Sequence, residues 1–250
     1  MKHAVASGAG LSYFETLDST SAEARRRAEA GARGPLWIVA LEQTSGYGRR
    51  GAAWESAAGD VAATLLFEPG ASAEVLGQLS FVAGLAVAEA LAGFATDADV
   101  TLKWPNDVLI DGGKIAGILL ELIDSRSATA PLVALGVGVN VVSRPDNALY
   151  PTARLLDFLE EAPPALDIVR RFDAAFDRRR RAWLREGFSP VREEFLARAA
   201  RLGEQIRVQL PNETVEGVFR DIDPSGALVL ECGGAERRIS AGAILRTPSC

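Results

Sequence analysis

The sequence predicts an α+β protein: a mixed sheet with helices on one side over residues 1–200, then a small all-β barrel over 201–250. Three observations carry that reading. Extended stretches at 99–104, 107–111, 114–122 and 131–142 follow one another across Pro, Asn, Asp and Gly turns, close enough to pair as hairpins rather than as repeated βαβ units. Helical spacing of apolar residues is confined to a few longer segments. After Leu202 the chain changes character to short alternating strands, four or five in number, punctuated by Pro211-Asn212, Pro224-Ser225-Gly226 and Gly233-Gly234.

Taken in order, SYFETL at 12–17 alternates as a strand. Thr20 and Glu23 form a Thr-x-x-Glu capping box for a helix running through Ala30 and closed by Gly31. Residues 36–44 are β-rich and lead into a glycine-rich loop at 45–60, an irregular and mobile connection, before a second strand at 61–67. Residues 72–93 are helical. Their most apolar part, 79–91, carries Glu89 and reads as a core helix, and no stretch reaches the 18 uninterrupted apolar residues of a membrane span. From 165 to 200 the pattern is helical again, with Phe172, Phe176, Trp183 and Leu184 available for a buried face. The run Arg178–Arg181 reads as a solvated face offset by Asp173, Asp177 and Glu186.

Composition excludes several chemistries. The chain is 48% hydrophobic and 24% charged over 250 residues, enough for a sizeable core. Its 27 basic residues against 33 acidic give −6, which argues against a nucleic-acid-binding protein. Cys232 and Cys250 have no CxxC spacing, so neither a disulfide framework nor a zinc site is expected. The one histidine, His3, sits beside the N-terminus, which removes most imidazole-based catalysis. Lys2 is followed by no sustained apolar stretch with a cleavage site, so the expected location is cytoplasmic, with no membrane partner. Only Lys2, Lys103 and Lys114 are lysines, and two of the three fall within twelve residues.

Three segments concentrate the chemistry. Gly46-Tyr47-Gly48-Arg49-Arg50-Gly51 matches G-x-G-x-x-G after a strand, yet only nine residues separate Gly51 from the next strand. No crossover helix fits there, so a dinucleotide fold is excluded. The glycines instead let backbone amides approach an anion, and Arg49 and Arg50 add charged hydrogen bonds. Trp54 offers either a face for a base or an ordinary packing surface. The second segment, KWPNDVLIDGGKIAGILLEL at 103–122, places Lys114 at the start of an apolar strand, where an ammonium neutralises an anion, and Gly117 allows close approach. Asn106 and Asp107 suit the preceding turn as backbone-bonding residues. In the third, Gly136-Val137-Gly138-Val139-Asn140, two glycines share one strand face and form a wall for something flat, or simply pack strand on strand.

Together these residues resemble the biotin–protein ligases over nearly the whole chain: the Asp18-Ser19-Thr20 start, Glu42-Gln43-Thr44, the glycine–arginine loop through Trp54, KWPNDV with Lys114, GVGVN and the C-terminal barrel. The combination KWPND…KxAGIL…E is the specific part, and lipoate ligases, which share the fold, lack it. The resemblance implies a biotin/lipoate ligase-like catalytic domain, an SH3-like barrel, and two-step transfer of biotin through biotinyl-5′-AMP to a lysine of a biotin carboxyl carrier protein, with ATP and Mg²⁺. It implies that Ser19, Thr20 and Gln43 meet the biotin ureido ring, and that Gly46, Gly48 and Arg49 lie in the adenylate-binding loop with Arg50 beside them. By the same resemblance Trp54 packs on the adenine side and Lys114 contacts the carboxylate and α-phosphate. Gly117 and Gly136 line the pocket, Asn106 and Asp107 lie near ATP and its metal, and Asn140 belongs to the nucleotide side. Catalysis is assigned to Lys114 and Arg49 as electrostatic groups, without a protein metal site.

This chain departs from the family pattern in places. Tyr47 and Ala52 replace two usual arginines, Ser21 stands for Asn, and Gly59-Asp60-Val61 for Gly-Asn-Leu. A non-catalytic biotin or adenylate sensor and a ligase for lipoate or octanoate therefore stay open as alternatives. The resemblance begins near residue 11, which leaves no room in this sequence for a DNA-reading module and suggests a monofunctional enzyme with no DNA partner; a homodimer is left open.

Overall fold

A computed structural model describes residues 5–124, 131–145 and 150–245. Lys2, His3 and Cys250, on which part of the composition argument rests, lie outside the described residues. Seven strands form one sheet in the order β1-β2-β3-β7-β6-β5-β4: β1 (Gly10–Leu17), β2 (Leu36–Gln43), β3 (Val61–Phe67), β4 (Val100–Lys103), β5 (Asp107–Ile110), β6 (Gly113–Asp124) and β7 (Leu132–Val139). Only β1 and β2 run parallel, joined across helix α1 (Thr20–Glu29); every other neighbouring pair is antiparallel. The expected chain of hairpins from β4 to β7 is present.

The helices correct one expectation: they do not share a side of the sheet. Alternate residues of the central strands face opposite ways. Trp37, Val39, Val61, Ala63, Leu65, Val133 and Leu135 join the large core together with α2 (Leu79–Ala92) and α3 (Ala165–Glu186). Ile38, Leu66, Leu132 and Ala134 point the other way and pack on Ala24 of α1. The parallel β1–β2 step needs a crossover, and α1 is that crossover, so it lies on the second face. Helix α2 is buried almost all round, as its uniformly apolar sequence requires.

The start of α1 also differs in detail. Its cap is Ser19, whose side chain accepts from the Ala22 N–H, rather than Thr20. Glu23 is occupied by Arg26 and Arg27, each at 2.7 Å. In α3, Phe172, Phe176 and Trp183 are buried as expected, but Leu184 is 40% exposed. The arginines of 178–181 are ion-paired with Glu89, Glu194 and Asp177. Asp173 is not among their partners: it is buried and accepts from Trp37 Nε1 at 2.8 Å and from Ser7 Oγ at 2.6 Å, tying the N-terminal segment to the core. Glu186 pairs with Arg185 instead.

After α4 (Ser189–Ala197), five strands form an antiparallel sheet ordered β11-β10-β9-β8-β12. They are β8 (Gln205–Gln209), β9 (Thr214–Ile222), β10 (Leu228–Cys232), β11 (Ala235–Ile239) and β12 (Ala243–Ile244), an arrangement consistent with an SH3-like unit. This unit is sewn to the larger sheet. Trp104 is 1% exposed and donates from Nε1 to the Gly226 carbonyl at 3.1 Å, while Leu102 exchanges backbone hydrogen bonds with Arg198 and Ala200.

Candidate active site

On the α1 face, beyond the end of that helix's packing, the sheet is left uncovered by small residues. Gly117 of β6 and Gly138 of β7 are direct cross-strand partners, as are Leu119 and Gly136. Above them opens a cavity of about 360 Å³. Something flat does lie on the glycine wall, and it is Trp54. A Cβ at Gly138 would stand 2.6 Å from its Nε1, and one at Gly117 would stand 3.1 Å from its Cζ3.

One end of the cavity is polar and neutral. Gln43 Oε1 accepts from the Thr20 backbone N–H at 2.8 Å and from Thr20 Oγ1 at 3.1 Å. The backbone donor fixes the amide orientation, so the Gln43 NH₂ group is left to donate elsewhere. Thr64, fully buried on β3, donates to Thr20 Oγ1 at 2.9 Å and lies 3.3 Å from Ser21 Oγ. Since Thr64 spends its proton on Thr20, Ser21 is the donor in the last link, which leaves the Ser21 oxygen as an acceptor. Sequence reasoning missed Thr64, because a threonine inside an apolar strand carries no motif.

The other end is cationic. Lys114 Nζ is 2.7 Å from Asp107 Oδ1, and Lys103 Nζ is 3.8 Å from Asp107 Oδ2. Both ammoniums also face the Tyr150 ring, at 5.3 and 4.7 Å from its centroid, and Lys114 lies 5.6 Å from the Trp54 ring. Burial opposes the Lys114 charge, but Asp107 and Tyr150 outweigh it and hold its pKa above the ordinary lysine value. Lys103 has the reverse balance: burial dominates, Lys114 adds repulsion, and its pKa is depressed despite Asp107. Lys103 and Tyr150 were not among the expected site residues.

Arg49 completes this end. The loop folds into a small hairpin with a Tyr47–Ala53 bridge and one tight turn at Arg49–Gly51, where Arg50 adopts the left-handed φ of +58°. The connection expected to be irregular therefore contains one short bridged turn. Gly46 closes its base: its carbonyl accepts from Trp54 N at 2.9 Å, and a Cβ there would lie 2.7 Å from Gln43 Nε2. Arg49 Nη1 donates to Asn106 Oδ1 at 3.1 Å and to the Gly242 carbonyl at 3.4 Å. Burial, then the neighbouring Arg50 charge, lowers its pKa.

Several expected residues spend their polar groups on structure. Asn140 is buried and donates to the carbonyls of Ala153 at 3.0 Å and Lys114 at 3.3 Å, clamping the strand that carries Lys114. Ser19 is spent as the α1 cap. Asn106 lines the cavity, but both ends of its amide are engaged, with Arg49 and with the Ile118 carbonyl at 2.6 Å. Thr20, Gln43, Gly48, Arg49, Arg50, Trp54, Asp107, Lys114, Gly117 and Gly136 do share the one cavity. The barrel contributes too: Gly242 to Leu245, at its last strand, form part of the wall. The substitution of Asp for Asn at 60 also has a physical reason. Its carboxylate accepts from the N–H groups of Ala57, Val141, Val142 and Ser143 and from the Ser143 hydroxyl, so every partner is a donor.

Comparison with known proteins bears on the family and the fold. A model of the biotin/lipoate A/B protein ligase family matches residues 13–140, and one of the biotin protein ligase C-terminal domain matches 202–246. A biotin–[acetyl-CoA-carboxylase] ligase of Paracoccus denitrificans is 44% identical over 89% of this chain and 94% of its own length. A protein of the same name from Mycobacterium tuberculosis is 34% identical over 96% and 91%. The structure of a biotin protein ligase from Aquifex aeolicus in complex with biotin and ATP superposes with a TM-score of 0.81 at 24% identity, covering 94% of this chain and 97% of that one.

Proposed function

This chain belongs to the biotin/lipoate A/B protein ligase family, and from that membership we infer that it works as a biotin–[acetyl-CoA-carboxylase] ligase. In the first step an oxygen of the biotin carboxylate attacks the α-phosphorus of ATP; pyrophosphate leaves and biotinyl-5′-AMP remains. In the second, the amine of a carrier-protein lysine attacks the acyl carbon, AMP leaves, and the proton lost by the amine passes to solvent. The acceptor is the carboxyl carrier protein of acetyl-CoA carboxylase.

The observation that carries this reading is the polarity of the cavity. A neutral end, with N–H donors from Gln43 and an acceptor from Ser21 at Gly136, lies about two strand residues, or roughly 7 Å, from the cationic end, where Lys114 stands at the Gly117–Gly138 pair. A ureido ring joined by an apolar chain to a carboxylate has that same order of chemistry, and Trp54 covers the apolar stretch between. At the cationic end Lys114, Lys103 and Arg49 bring positive charge to the carboxylate and α-phosphate as negative charge builds up between them, in a site partly closed to water. Positioning two anions within reach of each other is the larger part of such a reaction, so no protein nucleophile is required.

Mg²⁺ belongs to this reading as the metal that ATP brings with it. Asp107 is the single carboxylate lining the cavity among the described residues, and its two oxygens face Lys114 and Lys103. A protein-held centre does not fit that arrangement, and no group of three metal-ligating side chains occurs among the described residues.

The test is ATP-dependent labelling of a carrier domain by biotin, run beside lipoate and with pyrophosphate release followed in parallel. Stoichiometric biotin label on one lysine is expected. Binding of biotin without transfer would turn the reading into that of a sensor, and preferential transfer of lipoate would overturn the substrate.

A further inference from the structure

In the ligase reading the acyl-adenylate waits in the cavity between two chemical steps, and the loop that carries Arg49 lines that cavity with its side chain at 47 tied in a specific direction. Tyr47 lines the cavity and donates its hydroxyl to Glu121 Oε2 at 3.3 Å. The other oxygen of Glu121 accepts from Arg25 Nη2 at 3.2 Å. Arg25 lies four residues along α1 from Ser21, and Glu121 two residues along β6 from Leu119, so both project from the walls of the neutral end. Loop, strand and helix thereby meet in one hydrogen-bonded chain.

We propose that Tyr47, Glu121 and Arg25 are positioning residues that hold the loop closed over the cavity and so set how long the acyl-adenylate is retained. An arginine at 47 would reach the same carboxylate with a charge of its own. Here the charge comes instead from α1 through Arg25, and the phenol supplies a neutral donor. Burial, then the Glu121 charge, raises the phenol pKa, which keeps that proton in place. The link is partly solvent-exposed, with the Arg25 side chain 45% and the Glu121 side chain 20% accessible, so a modest effect on retention is expected.

This rests on the ligase reading, and the experiment separates the two. The intact chain is loaded with labelled biotin and ATP in the absence of carrier, chased with unlabelled biotin, and the dissociation rate of the labelled adenylate is measured. Tyr47→Phe and Glu121→Gln are each expected to release it about 3- to 10-fold faster. If they act in one chain, the double variant releases it no faster than the quicker single variant. Tyr47→Arg, which keeps a donor to Glu121, is expected to hold the rate within about twofold of the unmutated chain. Dissociation rates unchanged in both single variants, or effects that multiply in the double variant, would overturn the proposal. So would a lowered melting temperature with no change in dissociation, because that is the signature of a purely structural contact. If the unmutated chain forms no adenylate, the ligase reading itself fails; if adenylate forms and leaves every variant at one rate, only the latch fails.

Discussion

Gly138→Ala is the sharpest perturbation of the site, because it adds one methyl group at a place where there is no room for it. The new Cβ would lie 2.6 Å from Trp54 Nε1 and nearer still to two carbons of the ring. Non-bonded heavy atoms of this kind rest about 3.5–4.0 Å apart, so the indole must retreat by about 1 Å or more. It cannot swing away freely, since the Trp54 backbone is pinned to the Gly46 carbonyl at 2.9 Å. Overpacking of this size typically costs about 1–3 kcal/mol, and in a chain of this length each kcal/mol lowers the melting temperature by about 2–4 °C. The ring is pushed into the space between the neutral and cationic ends, so biotin affinity falls along with stability. The assay is calorimetry on Gly138→Ala, Trp54→Ala and the double variant. Removing the indole removes the clash, so the double variant should be no less stable than Trp54→Ala alone. Additive losses, or a Gly138→Ala protein that melts and binds like its parent, would refute the placement of Trp54 on the glycine wall.

Three further outcomes follow from the same geometry. Thr64→Val keeps the shape of a fully buried side chain and removes the hydroxyl linking Thr20 to Ser21; biotin binding measured by titration should weaken by about 1–2 kcal/mol with little change in the adenylate-forming rate at saturation. Lys114→Ala should leave the fold intact and lower adenylate formation by about 100-fold, and unchanged pyrophosphate release would defeat the electrostatic assignment. Lys103→Met tests a pH dependence. Because the folded-state pKa of Lys103 lies below the unfolded value of 10.5, the folded chain gives up this proton first, and stability rises as pH climbs through the interval below 10.5. The stability of the parent relative to the variant should therefore improve as pH approaches 10.5; a difference independent of pH would refute the buried ammonium. Lys114, with a raised pKa, has the opposite sign: the stability it contributes is fully present below 10.5 and is lost only at higher pH.

Much of this architecture is written locally. Short turns at Pro105-Asn106 and Asp111-Gly112-Gly113 leave β4, β5 and β6 no option but hairpins, and the nine residues after Gly51 exclude a crossover helix whatever the tertiary fold. The paired glycines of β7 announced a flat neighbour, and the position of Lys114 at the head of an apolar strand announced a cation over a cavity. These are inferences from spacing, and spacing is a property of the chain alone. The C-terminal unit was legible for the same reason, since alternation and turn residues recur within a few positions of one another.

What spacing does not contain is which face of the sheet each helix covers, or which distant groups arrive at the same point. That α1 lies opposite α2 and α3 depends on the parallel step between β1 and β2, a pairing between segments that have no local bond to each other. Lys103, Tyr150 and the Gly242–Leu245 wall entered the site only through such pairings, as did Thr64 from behind Thr20 and Ser21, and Asn140 and Ser19 left it because nearby backbone groups claimed their side chains first. Sequence settles which groups are available and how stiffly each is held to its neighbours. Packing decides which of them remain free for a ligand, because a buried donor or acceptor must take the nearest partner the fold provides.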